Sequence, residues 1–156
     1  MAKGIQARIR QNKPFTSIEE ETFVALLRTA DELSGRSAEM LKPHGLSPTQ
    51  YNALRILRGA GANGLACREV AERMINRDPD ITRLVDRLER RGLVARRRAQ
   101  KDRRVITVRI TAAGQQLLQA LDRPVEEFQR RLLSHMGGLR LRSLLRLLEA
   151  AREHGT

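Results

Sequence analysis

Cysteine is almost missing from this chain: Cys67 is the only one in 156 residues. A lone thiol excludes an internal disulfide framework and a zinc site built on several thiolates, and it suits a reducing cytoplasm. Tryptophan is absent, and the aromatic residues amount to one tyrosine and three phenylalanines. Proteins that read single-stranded nucleic acid or RNA loops stack bases on aromatic rings, so those modes are disfavoured. Long apolar runs are missing too. The longest stretches free of Asp, Glu, Lys and Arg are Pro43 to Leu54 and Ile110 to Leu121, 12 residues each. A membrane-spanning helix needs about 20 mostly apolar residues. Met1 to Lys13 is basic, but no apolar segment follows it, so no secretory signal is expected. The chain contains no H-E-x-x-H, no P-loop and no G-x-S-x-G. His44, His135 and His154 stand singly and form no ligand set. The reading is therefore no enzyme, no cofactor, no metal and no membrane.

What the chain has in excess is positive charge. Lys and Arg number 30 against 18 Asp and Glu, a net charge of +12. Such a balance asks for a polyanionic partner, most often nucleic acid. Hydrophobic residues make up 40%, enough for a core, and the length suits one compact domain.

Residues 1–16 read as a basic arm, either a solvated tail or a segment that touches phosphates. Ser17-Ile18-Glu19-Glu20 has the form of a capping box and predicts a helix to about Lys42, where Pro43 stops it. Ser47-Pro48-Thr49-Gln50 predicts a second start, with Tyr51, Leu54 and Leu57 on the buried stripe and an end near Gly59. Gly59 to Gly64 spells G-x-G-x-x-G. That motif binds dinucleotides only between a strand and a helix; here a helix precedes it, and a helix–helix connection is the better reading. A short helix over 66–75 follows, with Val70, Ala71 and Met74 inward. After the turn at Asn76-Arg77, Asp78-Pro79 signals the next helix, with Ile81, Leu84, Val85 and Leu88 inward and Gly92 as its left-handed end. The period then changes to two: Leu93 to Ala99 and Arg104 to Ile110 read as a hairpin. Thr111 caps a helical stretch over 112–134, which Pro124 should kink or break near Asp122. Gly137-Gly138 separates it from a last helix with Leu141, Leu144, Leu145 and Leu148. The order is α-α-α-α-β-β-α-α.

Two short helices joined by a turn, then a basic hairpin, form a helix-turn-helix with a wing. The second helix of such a unit enters the major groove. The inward set leaves Asp80, Thr82, Arg83, Asp86 and Arg87 facing outward as candidate readers. Arg83 can hold guanine with two hydrogen bonds, and Thr82 can meet a thymine methyl or a phosphate. Asp80 either accepts from a cytosine amino group or stabilises the first helical turn. Arg68, Asn76 and Arg77, around the turn, are candidate phosphate contacts. From Arg87 to Arg109 ten basic residues face two acidic ones, +8 of the chain's +12. This run carries the wing candidates Arg97, Arg98, Lys101, Asp102, Arg103 and Arg104. Arginine dominates it, which suits phosphate binding and narrow minor grooves. Duplex DNA is the expected partner.

The segment Ile81-Thr82-Arg83-Leu84-Val85-Asp86-Arg87-Leu88-Glu89-Arg90-Arg91-Gly92-Leu93-Val94 resembles the recognition helix of the multiple-antibiotic-resistance regulator (MarR) family. Asp102-Arg103-Arg104 and Ile110-Thr111-Ala112-Ala113-Gly114 resemble its wing and the helix start that follows. Leu46 to Tyr51 is similar to its helix before the helix-turn-helix. The resemblance spans about Ser17 to Ala150. It implies a mainly α fold with one small β-hairpin wing, a winged helix-turn-helix flanked by N- and C-terminal dimerisation helices. The divisions expected are an arm over 1–16, a dimerisation helix over 17–43, the DNA-binding region over 44–111 and dimerisation helices over 112–156. It further implies a cytoplasmic bacterial homodimer, a repressor on an inverted-repeat operator, relieved by a small-molecule effector. Arg104 is then the arginine that enters the minor groove, with Asp102 orienting it or bracing the turn. No effector-pocket residue is assigned. Cys67 lies beside Arg68 at a helix start, whereas the family's oxidant sensors carry cysteine in the first helix. The reading kept beside this one is an architectural protein that coats DNA without sequence preference.

Overall fold

A computed structural model describes residues 4–76, 80–99, 102 and 104–153. The chain forms two compact units, residues 1–51 and 52–156.

The first unit opens with a single helical turn, α1 (Ile5–Arg8), inside the stretch expected to be an arm. Arg8 lies 3.6 Å from Glu32 of α2 (Ile18–Leu41). The capping box at the start of α2 closes only in part as expected. Ser17 Oγ accepts from the Glu20 N–H at 3.1 Å. The Glu20 carboxylate instead takes the N–H and hydroxyl of Thr16, at 2.7 and 2.6 Å. A 3-10 turn over Lys42–His44 ends the helix at Gly45, which has φ of 68°. Helix α3 (Pro48–Ala60) begins with a complete box. The Ser47 hydroxyl accepts from the Gln50 N–H at 3.1 Å, and the Ser47 N–H donates to Gln50 Oε1 at 3.0 Å. In α2, Phe23, Leu26 and Leu27 form an apolar stripe that remains exposed.

The second unit holds the main core. A 3-10 turn (Gly61–Asn63) leads from α3 into β1 (Leu65–Ala66) and α4 (Cys67–Arg73). Helix α5 spans Ile81–Arg90, and Gly92 beyond its end has φ of 70°. Strands β2 (Val94–Arg98) and β3 (Ile106–Ile110) follow, then α6 (Ala112–Leu133) and α7 (Gly137–Arg152). The hairpin pairs Val94 with Ile110 and Arg98 with Ile106. Strand β1 was not anticipated. It pairs antiparallel with β3, Leu65 opposite Val108, and makes a three-stranded sheet of order β1-β3-β2. Two residues are too short to show a period, so the sequence carries no signal for it. Leu54, Leu57, Val70, Val85, Leu88, Val108, Leu118 and Leu121 are fully buried.

Two further expectations change. Helix α6 is not broken at Pro124, which sits inside one continuous helix. Proline in a helix interior costs about 3 kcal/mol; burial of Leu118, Leu121 and Val125 on either side offsets it. The start of α5 also moves. Asp80, rather than the Asp78-Pro79 pair, caps it, its carboxylate accepting from the Arg83 N–H at 3.1 Å. Residues 78 and 79 lie outside the described residues.

Candidate nucleic-acid interface

Helix α5 is held from beneath and from one side. Leu84, Val85 and Leu88 are buried and Ile81 is half-buried, so the helix cannot rotate without exposing apolar surface. Burying one such side chain is worth about 1.5–3 kcal/mol. Its lateral brace is Arg96 of β2. The Arg96 guanidinium donates to Asp86 at 2.6 Å and to the Glu89 carboxylate, and the Arg96 N–H reaches Glu89 Oε1 at 3.0 Å. Burial disfavours the Arg96 charge, but the hydrogen bonds and negative charges of Asp86 and Glu89 outweigh it and hold its pKa above the ordinary value. Helix and wing are thereby tied together by side-chain hydrogen bonds.

The turn of the wing is built by Asp102. Its carboxylate accepts from the Arg104 N–H at 2.9 Å, and its carbonyl accepts from the Val105 N–H at 3.0 Å. Ala99 N–H to Val105 O, at 2.8 Å, closes the hairpin below. Arg104 is exposed at this turn, beside exposed Val105 and Ile106. On the other side, the α4–α5 turn is pinned by Asn52, whose Oδ1 accepts from the Ile75 N–H at 2.9 Å.

The sequence-predicted site residues divide accordingly. Thr82, Arg83 and Arg87 stand exposed on the outer face of α5, and Arg97, Arg98 and Arg104 are exposed on the wing. Among the described residues, Arg87, Arg98 and Arg104 have no ion-pair partner. Asp80 is engaged as the cap and in a 3.0 Å pair with Arg83 Nε, which favours the helix-stabilising alternative for it. Asp86 is directed to Arg96 rather than free on the outer face. Arg68 is exposed on α4 and pairs with Glu72 at 2.9 Å; Asn76 is exposed at the turn. Arg77, Lys101 and Arg103 lie outside the described residues. Sequence reasoning missed the brace and counted Arg96 only as one of the ten basic residues from Arg87 to Arg109. The signal was present: Asp86 and Glu89 are three apart on one helix face, and Arg96 shares the strand parity of buried Val94.

A helix-turn-helix followed by a basic β-hairpin defines a winged-helix DNA-binding protein. Comparison with known proteins agrees. The MarR family profile matches residues 44–105. A MarR transcription factor from Planctomyces limnophilus is 41% identical, with 88% of this chain and 99% of that one covered and a TM-score of 0.66. The homoprotocatechuate degradative operon repressor of Escherichia coli is 28% identical over 81% of this chain and 84% of its own length. CouR from Rhodococcus jostii RHA1, solved bound to p-coumaroyl-CoA, is 26% identical with a TM-score of 0.74, covering 91% and 99% of the two chains. This chain belongs to the MarR family of DNA-binding transcriptional regulators.

No described helix is long and apolar enough to cross a membrane. No group of three or more potential metal ligands occurs among the described residues.

Proposed function

We propose that this regulator represses transcription as a homodimer on an inverted-repeat operator and releases it when a small molecule binds. The observation that carries the DNA reading is the set of exposed guanidinium groups of Arg87, Arg98 and Arg104, without an ion-pair partner among the described residues, on a helix and wing that Arg96 ties together. Arg83 and Thr82 read base edges from α5 in the major groove, and Arg104 enters the minor groove from the wing. Arg97 and Arg98, with Lys101 and Arg103, add phosphate contacts; Arg68, Asn76 and Arg77 do the same from the turn. Asp86 and Asp102 act through the arginine and the turn that they hold.

The dimer is supported by apolar surface left uncovered. Ile18, Phe23 and Leu27 of α2 are 68%, 63% and 58% exposed, and Leu139, Leu145 and Leu147 of α7 are 77%, 60% and 68% exposed. Large apolar side chains exposed on a helix in this way mark an interface. The E. coli relative represses a degradative operon, and CouR takes an aromatic thioester; both support repression and a phenolic or related effector here.

Selection of random duplex DNA by the purified protein tests the reading. An enriched inverted repeat with half-sites about 10 bp apart is expected. Recovery without a motif, with steep salt dependence, would instead establish the architectural DNA-coating protein.

A further inference from the structure

The outer face of the wing sheet, turned away from α5, carries a second feature. Ala95, Arg97, Thr107 and Arg109 share that face by strand parity. There, within residues 52–156, a concave site of about 460 Å³ is bounded by Arg97, Arg109, the Gly61 turn and the start of α6. Volumes of about 300–1,000 Å³ are usual for small-molecule sites.

Three independent details make this site chemically specific. Arg109 Nε is buried and has no hydrogen-bond partner. A buried guanidinium N–H without an acceptor is costly, and the rest of this side chain borders the site. Arg97 lines the same site, and no carboxylate pairs with either arginine among the described residues. The third wall is the start of a 22-residue helix, where Thr111, Ala112 and Gln115 line the site. Ala112 and Ala113 are its first two residues, so their N–H groups have no acceptor inside the helix, and the helix dipole favours negative charge there.

The glycine-rich turn closes the remaining side. Gly64 has φ of 67°, and a Cβ on it would collide with the Val108 carbonyl and the Arg109 side chain. Glycine therefore lets the turn lie directly against β3 and holds the Arg109 side chain at the site. This gives the G-x-G-x-x-G spelling a use that is not dinucleotide binding.

We infer that this pocket is a binding site for a small organic anion, whose carboxylate or phosphate head is held by Arg97, Arg109 and the α6 N-terminus. The alanines and Ile110 around it accept a compact apolar body. An occupant neutralises Arg97. If the DNA reading above holds, occupancy also lowers the charge that the wing presents to DNA.

Calorimetric titration of the full chain without DNA tests the site separately from that reading. The probes are benzoate, inorganic phosphate and the neutral benzamide. Saturable binding of benzoate or phosphate is expected, with benzamide silent. Which of the two binds identifies the head group. Arg109→Gln and, separately, the exposed Arg97→Gln should each weaken it tenfold or more, whereas Arg131→Gln on α6 should leave it unchanged. Thermal melting of each variant checks folding. No saturable binding of either anion, or binding indifferent to Arg97→Gln and Arg109→Gln, overturns the site. So does a third result: no anion binding, but weaker operator binding with a shallower salt slope in both variants, which would make these arginines DNA-phosphate contacts.

Discussion

Helices α5 and α7 are both rich in leucine and arginine, which supply five of the ten residues of α5 and ten of the sixteen of α7. Helix α5 settles its apolar residues inside its own unit: Leu84, Val85 and Leu88 are 6%, 0% and 0% exposed. Helix α7 buries no residue fully. Leu141, Leu144 and Leu148 are half-covered along one stripe, while Leu139, Leu145 and Leu147 stand exposed on other sides. An apolar stripe of one face needs one neighbour; leucine all around a helix needs a second. Under the proposed function the two helices have opposite duties, one presenting its polar face to DNA and one keeping apolar surface for another protein chain.

The sharpest way to break this contrast is to charge the uncovered leucines. Leu145→Asp with Leu147→Asp should weaken self-association at least a hundredfold, from about 1.5–3 kcal/mol per leucine buried. Sedimentation velocity reads it; an unchanged dimer would remove α7 from the interface. The matching cut in α5, Leu88→Ala, should cost about 2–5 kcal/mol of folding stability in chemical denaturation. Its effect should not depend on protein concentration, unlike that of the α7 pair.

The arginines of the wing allow a finer contrast. Arg96→Ala should destabilise the fold by about 1 kcal/mol, because Asp86 loses its guanidinium donor and Glu89 keeps only the backbone N–H of residue 96, while water reaches both carboxylates. Arg104→Ala should leave the melting temperature unchanged and weaken operator binding by about 1 kcal/mol or more, the scale of a lost charge-assisted contact. Electrophoretic or anisotropy titrations at fixed salt separate the two. On α5, Arg83→Ala should relax base preference at one position per half-site, by about 1–3 kcal/mol. A uniform loss across sequences would make it a phosphate contact.

The smallest effect concerns α3 and α6. Arg58 grips Asp122 with two hydrogen bonds, at 2.9 and 3.0 Å, and these hold the Asp122 carboxyl below the usual aspartate range. A carboxyl with a lowered native pKa stabilises the fold above its unfolded pKa, and that contribution fades as pH falls through the native one. The pair is largely exposed, so Asp122→Asn should cost no more than ~1 kcal/mol at neutral pH. Denaturation curves of variant and parent should converge in acid.

Much of the fold was legible because its signals are local. The Ser47–Gln50 box, the Thr111 cap and the Gly92 helix end each depend on residues within four positions, and each stands as expected. The inner stripe of α5 followed from the 3.6-residue period, and the hairpin from the change to a period of two. The site residues separated less cleanly. Exposure of Thr82, Arg83 and Arg87 followed from which neighbours were buried, whereas Arg104 was expected from the family resemblance. The roles of Asp86 and Arg96 did not, since they lie ten positions apart and only the tertiary fold brings them together.

What the amino-acid sequence determined by itself was periodicity, capping and charge, properties of neighbours along the chain, and from these a winged helix-turn-helix with a basic wing. The tertiary structure decided what depends on distant residues meeting. It added β1 to the sheet, carried α6 unbroken through Pro124, and turned Arg96 inward to the α5 carboxylates. It also left Arg109 Nε without a partner at the edge of a cavity. The physical reason is common to all four: burial and hydrogen-bond satisfaction are set by the whole fold, and a local pattern proposes partners without choosing among them.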